Sequence, residues 1–188
     1  AYGQSFGNLI KEIEVYKDGE IKKWRQADMQ YNYRDSILKK ESGVVLSVII
    51  KLKKADPKEI RAKVVEVAKY RKGKLPWEPS VGCIFKNIEL DNMEINKEKI
   101  IKALDITEKE WEEATKHGKL PIGYVIDRLG LKGKKIGGCQ ISPKHCGIFI
   151  NTNQAKAEHV MMMISDIKMR VRNELLIQLQ EEIQYLGF

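Results

Sequence analysis

The chain has 188 residues, a formal net charge of +8, 43% hydrophobic and 32% charged residues. That is enough for one large domain or two small ones with a real core, and no apolar run approaches the roughly 20 residues of a membrane span. Three cysteines without a C-x-x-C pair argue against a disulfide framework or a zinc site and for a reducing, cytoplasmic setting. The opening AYGQSFGNLI lacks the basic-then-apolar pattern of a secretory signal. The positive balance suits an anionic partner: nucleic acid, acidic lipid or a phosphorylated small molecule. Basic residues are interleaved with acidic ones and no RNA-binding aromatic signature is present, so a nucleic-acid-binding module rests on charge alone.

Residues 9–24 read as a hairpin, with Ile13, Val15 and Ile21 alternating with charged residues around an Asp18-Gly19 turn. QYNYRDSIL is too short and mixed to classify. Residues 43–52, GVVLSVIIKL, are β-branched and predict a buried strand. Asp56-Pro57-Lys58-Glu59 starts a helix, with a cap, proline in the first position and an acid in the third; Gly73 stops it. KLPWEPSVG cannot be regular, which places a domain boundary near residue 76.

Residues 88–120 are charged and mostly helical, with a capping box at Thr107 and Glu110 and a stop at Gly118. LPIGYVIDRLGLKGKKIGG predicts a short helix and a glycine-rich turn, and CQISPKHCGIFIN two strands around Ser142-Pro143-Lys144. A last helix spans about 154–174, with Ala157, Val160, Met161, Ile164, Ile167 and Val171 on one face. That spacing makes the Met161-Met162-Met163 run packing rather than a metal site. LQEEIQYLGF reads as a returning strand. Strands and helices are mixed without a clean βαβ series, so the fold class is α+β.

Several residues carry chemistry as well as a bland reading. Cys83 after Gly82 is a small core residue or a thiol held in a turn. Arg34 is a surface ion pair with Asp35 or, between Tyr33 and Ser36, a planar carboxylate clamp. Glu181 and Glu182 are surface acids or functional ones. His145 is a structural histidine or a ligand. GLKGKKIGG lacks both phosphate-loop patterns.

The order of the motifs says more than any one of them. AYG is followed by YRDS, GCIFKN, D-R-x-G-L-K-G, G-G-x-Q-x-S, H-x-G-x-x-x-N and finally L-x-x-E-I-x-x-L-G. Over essentially its whole length the chain resembles the UDP-N-acetylenolpyruvoylglucosamine reductase family. The resemblance implies an oxidoreductase of peptidoglycan precursor synthesis that uses FAD and NADPH. Such enzymes reduce UDP-N-acetylglucosamine enolpyruvate to UDP-N-acetylmuramate.

By the same resemblance, Arg34 binds the substrate carboxylate, with Tyr33 beside it. Cys83 stands where most members have a serine and protonates the enolate carbon. A thiol with a reference pKa of about 8.5 keeps its proton at neutral pH and yields it more readily than a hydroxyl. Glu182 is preferred to Glu181 as the glutamate that assists, because it falls three residues before Tyr185 and five before Gly187. Lys86, Asn87 and His145 are implied substrate contacts, the last toward the diphosphate, with Lys132, Lys134 and Lys135 adding positive charge. Ala1, Tyr2 and Gly3 are the implied cofactor contacts.

The sequence departs from the family in three places. Ile88 replaces the usual proline after FKN, so the turn is expected to be looser there. Residues 88–120 are an insertion relative to short members. The N-terminal FAD-binding lobe is missing, so the chain is expected to be a fragment that turns over nothing alone. The implied organisation is a partial FAD-binding domain (1–76), an α+β substrate-binding domain (77–176) and a tail (177–188) returning to the FAD domain. The alternative is a non-catalytic relative that binds UDP-sugars, which would need no proton donor.

Overall fold

The computed structural model describes residues 4–91 and 95–187. The chain divides into two compact units, one through Tyr70 and one from Arg71 onward. The division falls six residues before the expected boundary and inside a helix.

The first unit is built on an antiparallel sheet in the order β2-β1-β3, with β1 at Ile10–Lys17, β2 at Glu20–Arg25 and β3 at Val44–Ile50. The hairpin forms as expected: Asp18 and Gly19 take φ values of 55° and 84°, the twist of a two-residue turn that matches the strands. Ile10, Ile13, Val15 and Met29 make a small core. The expectation of a buried β3 is wrong. All seven of its residues are exposed, with Val44 at 61% and Leu46 at 52%. The β-branched run gave the correct element, but burial depends on what covers it. Among the described residues β3 is an edge strand, paired to β1 alone.

Helix α1 runs Pro57–Lys74, one residue past the expected stop at Gly73, and buries none of its residues. Asp56 starts it by accepting the Lys58 N–H at 2.7 Å. Its first part belongs to the first unit and its last turn to the second.

The second unit holds the larger core. β4 (Ser80–Cys83) opens a four-stranded sheet in the order β4-β9-β8-β7, with β7 at Lys135–Ile136, β8 at Cys139–Ile141 and β9 at Ile148–Asn151. β5 (Ile88–Glu89) pairs with β6 (Lys119–Leu120) in a two-stranded sheet. Between them lie α2 (Lys97–Ala103) and α3 (Glu108–Thr115). The box at Thr107 forms as expected, the hydroxyl accepting the Glu110 N–H at 3.2 Å and the Glu110 carboxylate accepting the Thr107 N–H at 2.8 Å. Ile88 corrects another expectation. It is 5% exposed and pairs with Leu120, so the turn after Asn87 is tied down on that side.

Helix α4 (Ile122–Arg128) leads into β7 (Lys135–Ile136), β8 (Cys139–Ile141) and β9 (Ile148–Asn151), all antiparallel. Helix α5 (Ala157–Leu175) lies on this sheet. Its core face is Met163, Ile164, Ile167, Val171 and Leu175, with Val160 half-buried. Ile164, Ile167 and Val171 lie on that face as expected; Ala157 and Met161, also expected there, are exposed, and the stripe instead takes in Met163 and extends to Leu175. Leu176, at φ 60°, ends the helix and turns the chain into the tail. The whole is α+β.

Candidate functional site

β4 and β9 pair at Ser80 with Ile150 and at Cys83 with Ile148. β4 thus spends three steps where β9 spends two, and the extra residue makes a bulge at Val81-Gly82. Gly82 takes φ 78°, which an L side chain resists. The bulge turns Cys83 out of the regular alternation. Cys83 is exposed, whereas Cys139 and Cys146 are buried, and burial raises both of their thiol pKa values above the ordinary range. Of the two readings of Cys83, the core reading fails: the core positions here are Ile84 and Phe85, at 0% and 1% exposure.

The tail runs alongside this segment. The Ile84 N–H donates to the Gly147 carbonyl at 3.0 Å, and the Ile84 carbonyl accepts the Glu182 N–H at 2.7 Å. The Lys86 N–H donates to the Gln180 carbonyl at 2.9 Å, so Phe85 and Glu181 form a bridge. The expected terminal strand is this single bridge, and the backbone bonds that tie it to Ile84 and Lys86 lie within the second unit. Glu182 is therefore held one residue from Cys83.

The two glutamates have different environments. Ile177 and Leu179 are buried while Gln178 and Gln180 are exposed, so the odd residues of the tail face inward. Glu181 continues the inward set and meets Lys168 of α5 at 2.8 Å. Burial pushes its carboxyl up, but hydrogen bonds from Lys168 and Tyr185 outweigh that and hold its pKa below the ordinary range. The Tyr185 hydroxyl is pushed up to about 12 by burial and by its bond to Glu181. Neither Lys168 nor this use of Tyr185 was expected. The signal was present in the alternation I-x-L-x-E-x-I, which puts an acid at an inward position that needs a cation.

The remaining expected contacts have definite places. Asn87 Oδ1 accepts the Ile122 N–H at 3.2 Å, at the start of α4. Lys86 and Asn87 line a cleft of about 120 Å³ against the tail. His145 Nδ1 accepts the Gly147 N–H at 3.2 Å and its ring packs on Gly123 and Gly147, so it shapes the β8–β9 turn. Lys132 is paired with Asp127 at 2.9 Å and Lys134 with Asp166 at 2.8 Å. A second, more open groove of about 420 Å³ flanks β4, lined by Val81, Val160, Met161, Ile183 and Tyr185 among others.

In the first unit, Tyr33 and Arg34 form the tip of a tight turn closed by two bonds between Asn32 and Asp35, each 3.1 Å. Arg34 has φ 53°, a strained value for an arginine, and its guanidinium lies 5.4 Å from the Tyr33 ring centre. The Asp35 carboxylate is engaged by Lys40 at 3.1 Å and by the Ser36 N–H. Ala1, Tyr2 and Gly3 lie outside the described residues. Among the described residues no three His, Cys, Asp or Glu side chains gather to hold a metal ion, and no helix is long and apolar enough to cross a membrane.

The profile of the UDP-N-acetylenolpyruvoylglucosamine reductase C-terminal domain matches residues 74–186. The chain belongs to that family. Reductases of that name from Thermotoga maritima and Petrotoga mobilis are 30% and 32% identical over 98% and 97% of the chain. The crystal structure of the Thermus caldophilus reductase is 28% identical, with a TM-score of 0.66, over 95% of this chain and 53% of that one. The chain spans about half the length of the curated relatives it matches. The matched profile covers Cys83, the bulge and Glu182; Arg34 lies outside it.

Proposed function

We propose that the chain is the substrate-binding portion of a cytoplasmic, NADPH- and FAD-dependent reductase of UDP-N-acetylglucosamine enolpyruvate that forms UDP-N-acetylmuramate for peptidoglycan. In this reading the first unit is part of the FAD-binding domain, the second unit binds substrate, and a further FAD-binding lobe completes the enzyme. The observation that carries the reading is Cys83, set out on a bulge with Glu182 stitched to the neighbouring residue.

FAD, bound in the complete enzyme and reduced by NADPH, would supply the hydride for the β-carbon of the enolpyruvyl group. The fit to a flavin is partial within the second unit. The groove beside β4 offers Val81, Val160, Met161 and Tyr185 as apolar surface for a flat ring. Holding the pyrophosphate falls to Ala1, Tyr2, Gly3 and the further lobe.

The chain's own residues do the rest. Arg34 clamps the substrate carboxylate, with Tyr33 under the guanidinium, and stabilises negative charge as the enolate forms. The Cys83 Sγ–H gives its proton to the α-carbon, and the thiolate left behind recovers a proton from solvent. Glu182 assists the same carbon. Lys86, Asn87 and His145 line the nucleotide end, where Asn87 and His145 act through the backbone turns they fix.

Calorimetric titration of the chain with UDP-N-acetylglucosamine enolpyruvate, with plain UDP as comparison, tests the substrate assignment. Binding of both, tighter for the enolpyruvate, is expected. The same titration repeated with the FAD-binding lobe added should be tighter. Binding of neither ligand in either titration overturns the assignment.

A further inference from the structure

Two adjacent glutamates stand beside Cys83, and only one can face the substrate. A strand has a period of two, so sliding the tail by one residue would exchange their places. Among the described residues, the tail is held against Ile84–Lys86 by the two backbone bonds of one bridge. Something must fix its register more firmly than that.

We propose that Lys168 and Glu181, with Tyr185, form a positioning clamp that sets the tail's register so that Glu182 addresses the Cys83 site; this rests on the function proposed above. Glu181 occupies an inward position behind Ile177 and Leu179, both 3% exposed. An acid there is tolerated because Lys168, in the last half of α5, reaches it at 2.8 Å, with both side chains at least two-thirds buried. Tyr185, four residues on, bonds the same carboxylate. Lys168 comes from the helix face that carries Ile164, Ile167, Val171 and Leu175 into the core, so its reach is fixed by packing. A slip of one residue would place Gln180 or Glu182 opposite Lys168, and would move Ile177 and Leu179 out of the core. The apolar alternation opposes a slip in either direction, and the ion pair adds to it against the slip that would bring Gln180 to Lys168; Glu182 at Lys168 would keep an ion pair but lose the buried places of Ile177 and Leu179. Lys168 and Glu181 touch no substrate; they act through Glu182.

The test uses Lys168→Met, which keeps the length and removes the charge, Lys168→Arg, which keeps the charge, and Glu181→Gln as a second way to break the pair. In the full chain, amide exchange at Lys86 and Glu182 is expected to quicken at least tenfold in Lys168→Met and Glu181→Gln. Exchange within α5 and the β8–β9 pair should not change, and Lys168→Arg should restore protection. In the reductase loaded with FAD, flavin reoxidation by the enolpyruvyl substrate should slow at least tenfold in Lys168→Met. Reduction by NADPH and KM should stay within twofold, and Lys168→Arg should recover the rate. Unchanged exchange at Lys86 and Glu182 would overturn the clamp. Faster exchange with unchanged reoxidation would overturn its positioning role. Glu182→Gln separates this from the underlying reading. If Glu182→Gln slows reoxidation and Lys168→Met does not, only the clamp fails. If Glu182→Gln is itself without effect, the role of Glu182 fails and the clamp's function with it.

Discussion

Gly82→Ala is the substitution whose cost can be worked most directly. A Cβ built on Gly82 meets nothing within 4 Å, so the change creates no overlap. Its cost is the backbone alone. Gly82 sits at φ 78°, where an L residue is strained by roughly 1–2 kcal/mol. Alanine also narrows the unfolded ensemble, which offsets about 0.4–1 kcal/mol. The net loss is about 1 kcal/mol, a urea midpoint shift of roughly 0.3–1 M for a typical slope. Gly82→Asn should cost less, because asparagine tolerates the left-handed region. Gly138→Ala is the contrasting case. Its Cβ would lie 1.9 Å from the Asn153 carbonyl oxygen, an overlap against backbone that should cost about 3 kcal/mol or more. Urea unfolding followed by far-UV circular dichroism measures all three. Equal losses for alanine and asparagine at position 82, or a loss at 82 matching that at 138, would refute the assignment of Gly82 to backbone geometry. The bulge that exposes Cys83 would then need another cause.

Other outcomes follow from the same geometry. Cys83→Ser should keep much of the activity of the complete reductase, while Cys83→Ala should lower kcat by roughly 10²–10⁴-fold with a smaller change in substrate affinity. Full activity in Cys83→Ala would remove the thiol from the reaction. Iodoacetamide should label Cys83 in the native chain and spare Cys139 and Cys146, which are buried with raised thiol pKa values; mass spectrometry of tryptic peptides reads the sites. The tail should have a pH window. The Glu181 pKa is lowered, so its contribution is present above the ordinary carboxylate range and is lost as pH falls through the folded value. The Tyr185 pKa is raised from 10.0 to about 12, so its contribution is present below 10 and is lost between those values. Amide exchange at Glu182, corrected for intrinsic rates, should quicken outside these limits and not between them.

The sequence was most legible where a local rule decides the outcome. Asp18-Gly19 made its turn and Thr107 with Glu110 made its box, because turn and cap geometry are set by a few neighbouring residues. The motif order led to the family that the profile shows. The reading was poorest where distant parts of the chain decide. Nothing local separates an apolar strand that is covered from one that is not, so β3 was misjudged. On α5 the face of Ile164, Ile167 and Val171 was legible, but Met161 was placed on it where Met163 alone of the three methionines reaches the core. The Glu181–Lys168 pair joins residues that become neighbours only once the tail has folded back. Asn87 and His145 were read as ligand contacts from type and place; type alone did not reveal that Asn87 Oδ1 also holds the Ile122 N–H and His145 Nδ1 the Gly147 N–H.

The exposed surface of the first unit has a consequence that can be measured. Apart from Ser47, every residue of β3 is apolar, and all are exposed on an edge strand. α1 adds Ile60, Val64 and Val65, each at least 45% exposed. An apolar edge of this kind templates aggregation unless something covers it. The relatives are about twice as long as the chain, and the proposed FAD-binding lobe would supply the cover. Ile49→Lys then acts in opposite directions in two assays. It should raise the concentration at which the chain alone stays monodisperse in light scattering. It should also weaken, by tenfold or more, the association of the chain with a separately produced FAD-binding lobe. Ile49 is half-exposed and is not among the buried residues of the small core, so the fold should survive. Association that is unaffected by the lysine would show that the lobe does not sit on β3, and the division of the FAD-binding domain between the two pieces would have to be redrawn.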